Sequence, residues 1–221
     1  MLTVEFHIKE KILLSYPFLK YDDVIIIPHG YDSEDFQKYE PYKKLNSKMK
    51  LTYAGIFYEN ITPEYFLRAF KELTIDSPEI ANNIELEFIG HLRKENQKLI
   101  NELGLKNYVI EYGYLEHDEV IKRIKSSDVL WMMIGNTKNA ETISTSKLFE
   151  YFGSRKPILG CVPEGAAKQA LKEYGASFIT NPDYIDEIKN AIKEIYNLYV
   201  QNKLPKPNED FVEKHDRVKL T

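Results

Sequence analysis

The stretch Ser144-Thr145-Ser146-Lys147-Leu148-Phe149-Glu150 holds the residues best suited to chemistry. Ser144, Thr145 and Ser146 place hydroxyls at the start of a helical pattern. Backbone N–H groups go unpaired there, and the helix dipole favours an anion. A diphosphate fits such an end. Lys147 follows within the first turn, where a cation opposes the dipole and becomes useful once a phosphate neutralises it; the alternative is a solvated surface lysine. Glu150 lies three residues past Lys147 and four past Ser146, so the three share one helix face. A carboxylate one turn deeper than a phosphate site can accept two hydrogen bonds from vicinal ribose hydroxyls. The spacing equally suits an ordinary helix glutamate paired with Lys147 or Arg155.

These residues need a frame. From about Met49 onward, short β-rich apolar runs alternate with amphipathic stretches of helical period, which predicts an α/β, doubly wound, Rossmann-like domain with a six-stranded parallel sheet. Strands are expected at 50–54, 85–89, 108–111, 129–133, 157–161 and 177–179. Helices are expected at about 63–75, 92–103, 117–125, 145–154, 165–174 and 183–200. Thr62-Pro63 sets a hydroxyl before a proline at a helix start, and Phe66, Ala69, Phe70 and Leu73 recur at core-facing spacing. With strand order 3-2-1-4-5-6, a ligand sits at the carboxyl ends of the first and fourth strands. The loops there are 55–62, opening on Gly55, and 135–145, leading into the Ser-Thr-Ser helix.

The two ends read differently. Residues 1–48 hold a short helix at 9–16, a strand at 24–27 and a Pro28-His29-Gly30 turn, and read as an interdomain lead-in segment, the remnant of a preceding domain. Residues 49–203 are expected to form a Rossmann-like nucleotide-sugar-binding domain, and 204–221 a linker with two prolines followed by a truncated helix. The last residues, 211–221, are expected to lack a docking surface.

The 221 residues are 43% apolar and 13% aromatic, enough for a full core. Thirty basic against thirty-four acidic side chains give a formal charge of −4, so no global field draws the chain to nucleic acid or anionic lipid. Apolar runs fall short of a bilayer span and the start lacks a signal pattern, so a cytoplasmic location is expected, with membrane association only through a missing domain. Cys161, the single cysteine, lies in the strand-like run PILGCV and reads as core. His91 and His117 stand in loops on the ligand side without partners at metal-ligand spacing, so no metal is expected. His29 reads as a turn residue, since histidine tolerates a positive φ. Tyr112, Tyr114 and Leu115 offer an aromatic wall and backbone edge for a planar base, or simply core packing.

VIIIPHGYDSEDF (24–36) resembles the interdomain motif of the group 1 retaining glycosyltransferases of GT-B architecture, which have two facing Rossmann-like domains. LTYAG (51–55) resembles the first strand of their donor domain with its glycine turn. IELEFIG (84–90) and IEYGYLEHDEV (110–120) are similar to the second strand and to a glycine–aromatic step whose backbone contacts the nucleotide base. STSKLFEYFGSRKPILG (144–160) is the most specific piece, similar to a Lys-x-x-Glu-Tyr helix whose glutamate binds donor ribose. The resemblance covers nearly the whole chain. It implies the donor-binding half of an enzyme that moves a sugar from a nucleotide diphosphate sugar to an acceptor hydroxyl, with no further cofactor. The acceptor domain would lie outside these residues, and this chain alone would bind nucleotide weakly and not catalyse.

The sequence also departs from the family pattern. Many members carry a second glutamate near the transferred sugar, but that position is Thr142, with Glu141 one residue off. Where an arginine and a lysine often clamp the diphosphate, this chain has Ile56 and Asn60 or Ile61. Phosphate charge would then fall to Lys147, the helix amides, Lys138 or the missing domain. Two rivals remain: a non-catalytic nucleotide-binding or scaffold domain, favoured by the lost clamp, and half of a nucleotide-sugar epimerase.

Overall fold

The computed structural model describes residues 1–4, 6–57, 61–143 and 145–220. Its centre is an all-parallel sheet of six strands: β1 (Met49–Ala54), β2 (Ile84–Ile89), β3 (Val109–Gly113), β4 (Val129–Met133), β5 (Ile158–Cys161) and β6 (Ser177–Thr180). The order is β3-β2-β1-β4-β5-β6, as the alternating pattern predicts. Between strands run α1 (Glu64–Asp76), α2 (Lys94–Glu102), α3 (His117–Ser126), α4 (Ser146–Ser154) and α5 (Ala166–Tyr174), with α6 (Ile185–Val200) after β6.

Each face of the sheet has its own core. One joins Leu51, Tyr53 and Trp131 to Phe66 and Phe70 of α1 and Ile188, Ile192 and Ile195 of α6. The other joins Leu130 and Met132 to Phe149 and Phe152 of α4, Leu171 of α5 and Ile124 of α3. A strand covered on both faces reads as an unbroken apolar run, which is why all five residues of β4 are buried. Cys161 is buried on β5, and burial pushes its thiol up to about 11.

Glu87 on β2 breaks this apolar rule. It is 1% exposed, and its carboxylate accepts from Lys50 Nζ at 2.9 Å, Thr52 Oγ1 at 3.0 Å and Tyr112 OH at 3.0 Å. Three donors make the buried charge tolerable. Of the two readings the sequence left open for Tyr112, base pocket or packing, the structure favours packing: its hydroxyl serves Glu87 and its ring lies under the Arg123 guanidinium at 3.5 Å. Burial beside that carboxylate pushes its phenol up to about 12.

The first 48 residues contain two short parallel strands, Leu2–Thr3 and Ile25–Ile26, and the helix Phe6–Ser15, which starts earlier than the predicted 9–16. A second helix, Ser33–Lys38, is capped by Asp32, whose side chain accepts from Glu34 N at 3.0 Å, and it packs against α3 and α4.

The carboxy-terminal segment corrects the expectation that it lacks a docking surface. Its helical pattern divides into α7 (Glu209–Glu213) and a single turn, Arg217–Leu220. Phe211 and Val212 are buried, with Phe211 edge-on to Phe152 at 5.0 Å. Tyr31 N donates to His215 O, and Arg217 N donates to Tyr31 O. Gly153 of α4 makes room for Tyr31, since an added Cβ would strike its ring. The tail thus locks onto the lead-in segment and α4. Among the described residues no helix is long and apolar enough to cross a membrane.

Candidate functional site

A cleft of about 330 Å³ opens above the carboxyl ends of β1 and β2, under the amino-terminal turns of α3 and α4. Gly55 and Gly90 form its floor. Gly55 N donates to Ile89 O and Gly90 N to Gly113 O, each at 2.7 Å. Both glycines have positive φ, +141 and +113, and a side chain on Gly90 would collide with the Gly55 carbonyl. The backbone is therefore bare where the strands end. Gly55 was expected here from the sequence; Gly90, although it closes the IELEFIG run, was not.

The α4 wall presents Ser146, Lys147 and Glu150 to the cleft. Thr145 does not line it: as the N-cap residue, its side chain accepts from Leu148 N at 3.4 Å. Ser144 lies outside the described residues. Lys147 is not a solvated surface lysine. Its Nζ donates to Tyr53 OH at 2.8 Å and sits 4.1 Å from that ring's centroid. Burial lowers its pKa to about 8, against an upward pull from Glu150.

Glu150 is half-buried, and burial raises its pKa, opposed by His117, Arg217 and Lys147 and reinforced by Asp35. Among the described residues it accepts no hydrogen bond and forms no ion pair. Arg155 instead donates to Glu209 Oε2 at 2.8 Å, so the pairing of Glu150 with Arg155 or Lys147 that the spacing allowed is absent. A half-buried carboxylate with unused acceptor capacity can take a donor from a ligand.

The third wall follows β3. Leu115 and Val120 are its apolar part, and Tyr114 stands at the rim, 78% exposed. His117, the first residue of α3, also lines the cleft, with Nε2 2.8 Å from Asp35 Oδ2. The sequence weighed His117 only as a metal ligand and left Asp35 out. Its position two residues past Leu115, at a helix start, was the available signal.

Other expected contributors lie elsewhere. Glu141 pairs with Lys11 at 3.4 Å, and its backbone abuts Gly165. Thr142 Oγ1 donates to Asn139 O within its own turn. Lys138 and His91 are exposed and outside the cleft lining, and Asn60 lies outside the described residues. Ile56 lines the cleft where the sequence lacks the clamp arginine. His29 packs its ring 5.9 Å from Phe149 without adopting a positive φ, so its tolerance for that region is unused. Among the described residues no group of three or more His, Cys, Asp or Glu side chains is placed to hold a metal.

The profile of the family described as "Glycosyl transferases group 1" matches residues 34–214. No curated protein matches the chain. Similar solved structures include WaaG, a glycosyltransferase involved in lipopolysaccharide biosynthesis (12% identity, TM-score 0.73, 100% of this chain and 58% of that one). A glycosyltransferase from Rickettsia africae is 14% identical with TM-score 0.76, over 99% of this chain and 59% of that one. The Anabaena HepE protein, solved in complex with UDP and glucose, is 14% identical with TM-score 0.73, over 99% of this chain and 60% of that one. The chain thus spans about three fifths of the length of these structures.

Proposed function

We propose, from the premise that this chain belongs to the group 1 glycosyl transferases, that its cleft holds a nucleoside diphosphate sugar as donor. In this reading Glu150 accepts the ribose hydroxyls. Lys147 and the free amides of α4 meet the diphosphate, and Tyr114 and Leu115 flank the base. One observation carries it: Lys147 and Glu150, one turn apart, both face the cleft, and the glutamate has no partner there.

The chemistry follows from charge. When the glycosidic bond breaks, negative charge grows on the departing diphosphate, and donors fixed in place stabilise it without reorganising. Lys147 is the cation nearest that role, and the first-turn amides of α4 add partial positive charge. The glycine floor lets the diphosphate approach the backbone closely. Positioning of the acceptor falls to a second domain, so this chain by itself binds donor without turnover.

Ile56 at the clamp position supports a second reading, a nucleotide-binding or scaffold domain without catalysis. Calorimetric titration of the chain with uridine and guanosine diphosphates tests the donor reading. Heat with one of them, saturating at a single site, is expected; no heat with either leaves a scaffold.

A further inference from the structure

At the wall of the cleft His117 makes a contact with Asp35 to which the donor reading gives no task. Asp35 comes from the helix Ser33–Lys38, which packs across α3 and α4, and it meets His117 Nε2 at 2.8 Å. His117 lines the cleft with Glu150. The imidazole side chain is 56% exposed and Asp35 29%. So open a pair adds little to stability.

An ionised carboxylate only accepts, so the ring nitrogen that faces Asp35 carries a proton. Nδ1 is then left over: it accepts in the neutral ring and donates in the charged one. A hydroxyl suits both forms, because it does both; a carbonyl or an N–H suits only one. We infer that His117, held in place by Asp35, is a second ribose-binding residue, sharing the vicinal hydroxyls with Glu150. The inference rests on the donor-site reading and extends it. Glu150 takes the protons of the diol, and His117 meets the remaining hydroxyl capacity from the α3 side. Asp35 is a positioning residue, which gives the lead-in segment a part in the site.

Titration of the full chain with uridine diphosphate and its 2′,3′-dideoxy analogue tests this, with circular dichroism melts to check folding. His117→Ala weakens the ribonucleotide roughly fivefold, the scale of one hydrogen bond, and leaves the dideoxy analogue unchanged. Asp35→Ala gives a smaller loss confined to the ribonucleotide, and the double variant is no weaker than His117→Ala, because the two act as one unit. Equal weakening of both nucleotides by His117→Ala, or of neither, overturns the inference. If Glu150→Gln removes the preference for ribose while His117→Ala leaves it intact, the donor reading stands and His117 has no part in it. If the wild-type chain binds neither uridine diphosphate nor guanosine diphosphate, both readings fall; where only the guanosine nucleotide binds, the variants are compared with it and its 2′,3′-dideoxy analogue.

Discussion

Lys147 and Tyr53, 94 residues apart, meet at the end of β1: the ammonium donates to the phenol at 2.8 Å and lies over the ring. Without a ligand the lysine rests on an aromatic surface instead of in water. Its pKa is lowered to about 8 chiefly by burial, so at pH 7 it is still mostly charged. Nucleoside diphosphate affinity is therefore expected to fall as pH rises through about 8. On the acid side, burial raises the Glu150 pKa, so loss of ribose binding begins above the ordinary glutamate range. Calorimetry across pH 4.5 to 10 reads both limbs; an affinity flat from pH 7 to 10 would contradict the role of Lys147.

The same lysine costs the empty protein stability. Its folded pKa lies below its unfolded value of 10.5, so the penalty for burying the charge is fully present below about pH 8. It fades as pH rises from there to the unfolded pKa, because the folded state sheds its proton first. Lys147→Met should stabilise the ligand-free chain at pH 7 by about 1 kcal/mol, after allowance for screening and the lost cation–π contact. That gain should vanish near pH 10.5, and nucleotide binding should be lost. Urea denaturation at the two pH values measures it.

Gly55 bears on both residues. Its φ of +141 disfavours any side chain, and an added Cβ would meet the end of Lys147. Gly55→Ala is expected to cost roughly 1–3 kcal/mol in backbone strain and to push the ammonium off Tyr53. Denaturation should show the first effect. The second should appear as a Lys147 titration moved toward the ordinary lysine range, read by NMR of the labelled side chain.

The tail provides a test remote from the cleft. Phe211 is 4% exposed among Phe152, Tyr174 and His215. Phe211→Ala should cost roughly 3 kcal/mol, the usual range for deleting a buried aromatic ring. Backbone amides of Phe211 to His215 should show hydrogen-exchange protection in the wild-type chain. Exchange there at unfolded-chain rates would contradict the docked tail.

Much of this fold could be read from local pattern. Each βα step places a short strand-like run of four to six residues before an amphipathic helix, and the strands fall within two residues of their expected ends. Lys147 and Glu150 were legible for the same reason: i, i+3 spacing puts side chains on one helix face whatever the rest of the chain does. What escaped depends on distant partners. Glu87 looks like a solvent-facing strand residue until Lys50, Thr52 and Tyr112 converge on it. Asp35 and His117 are 82 residues apart, and no periodicity links them. The tail's dock on Tyr31 needs Gly153, whose small size matters only once α4 is packed.

The central claim is that Glu150 binds ribose, and titration of wild type and Glu150→Gln with uridine diphosphate and its 2′,3′-dideoxy analogue tests it most directly. Glutamine keeps the shape and removes the charge that strengthens the two hydroxyl bonds. Ribonucleotide affinity should fall on the order of tenfold, with partial compensation from neutral hydrogen bonds, while the dideoxy analogue binds both proteins equally and weakly. Equal weakening of both nucleotides would make Glu150 a structural residue and contradict the ribose assignment.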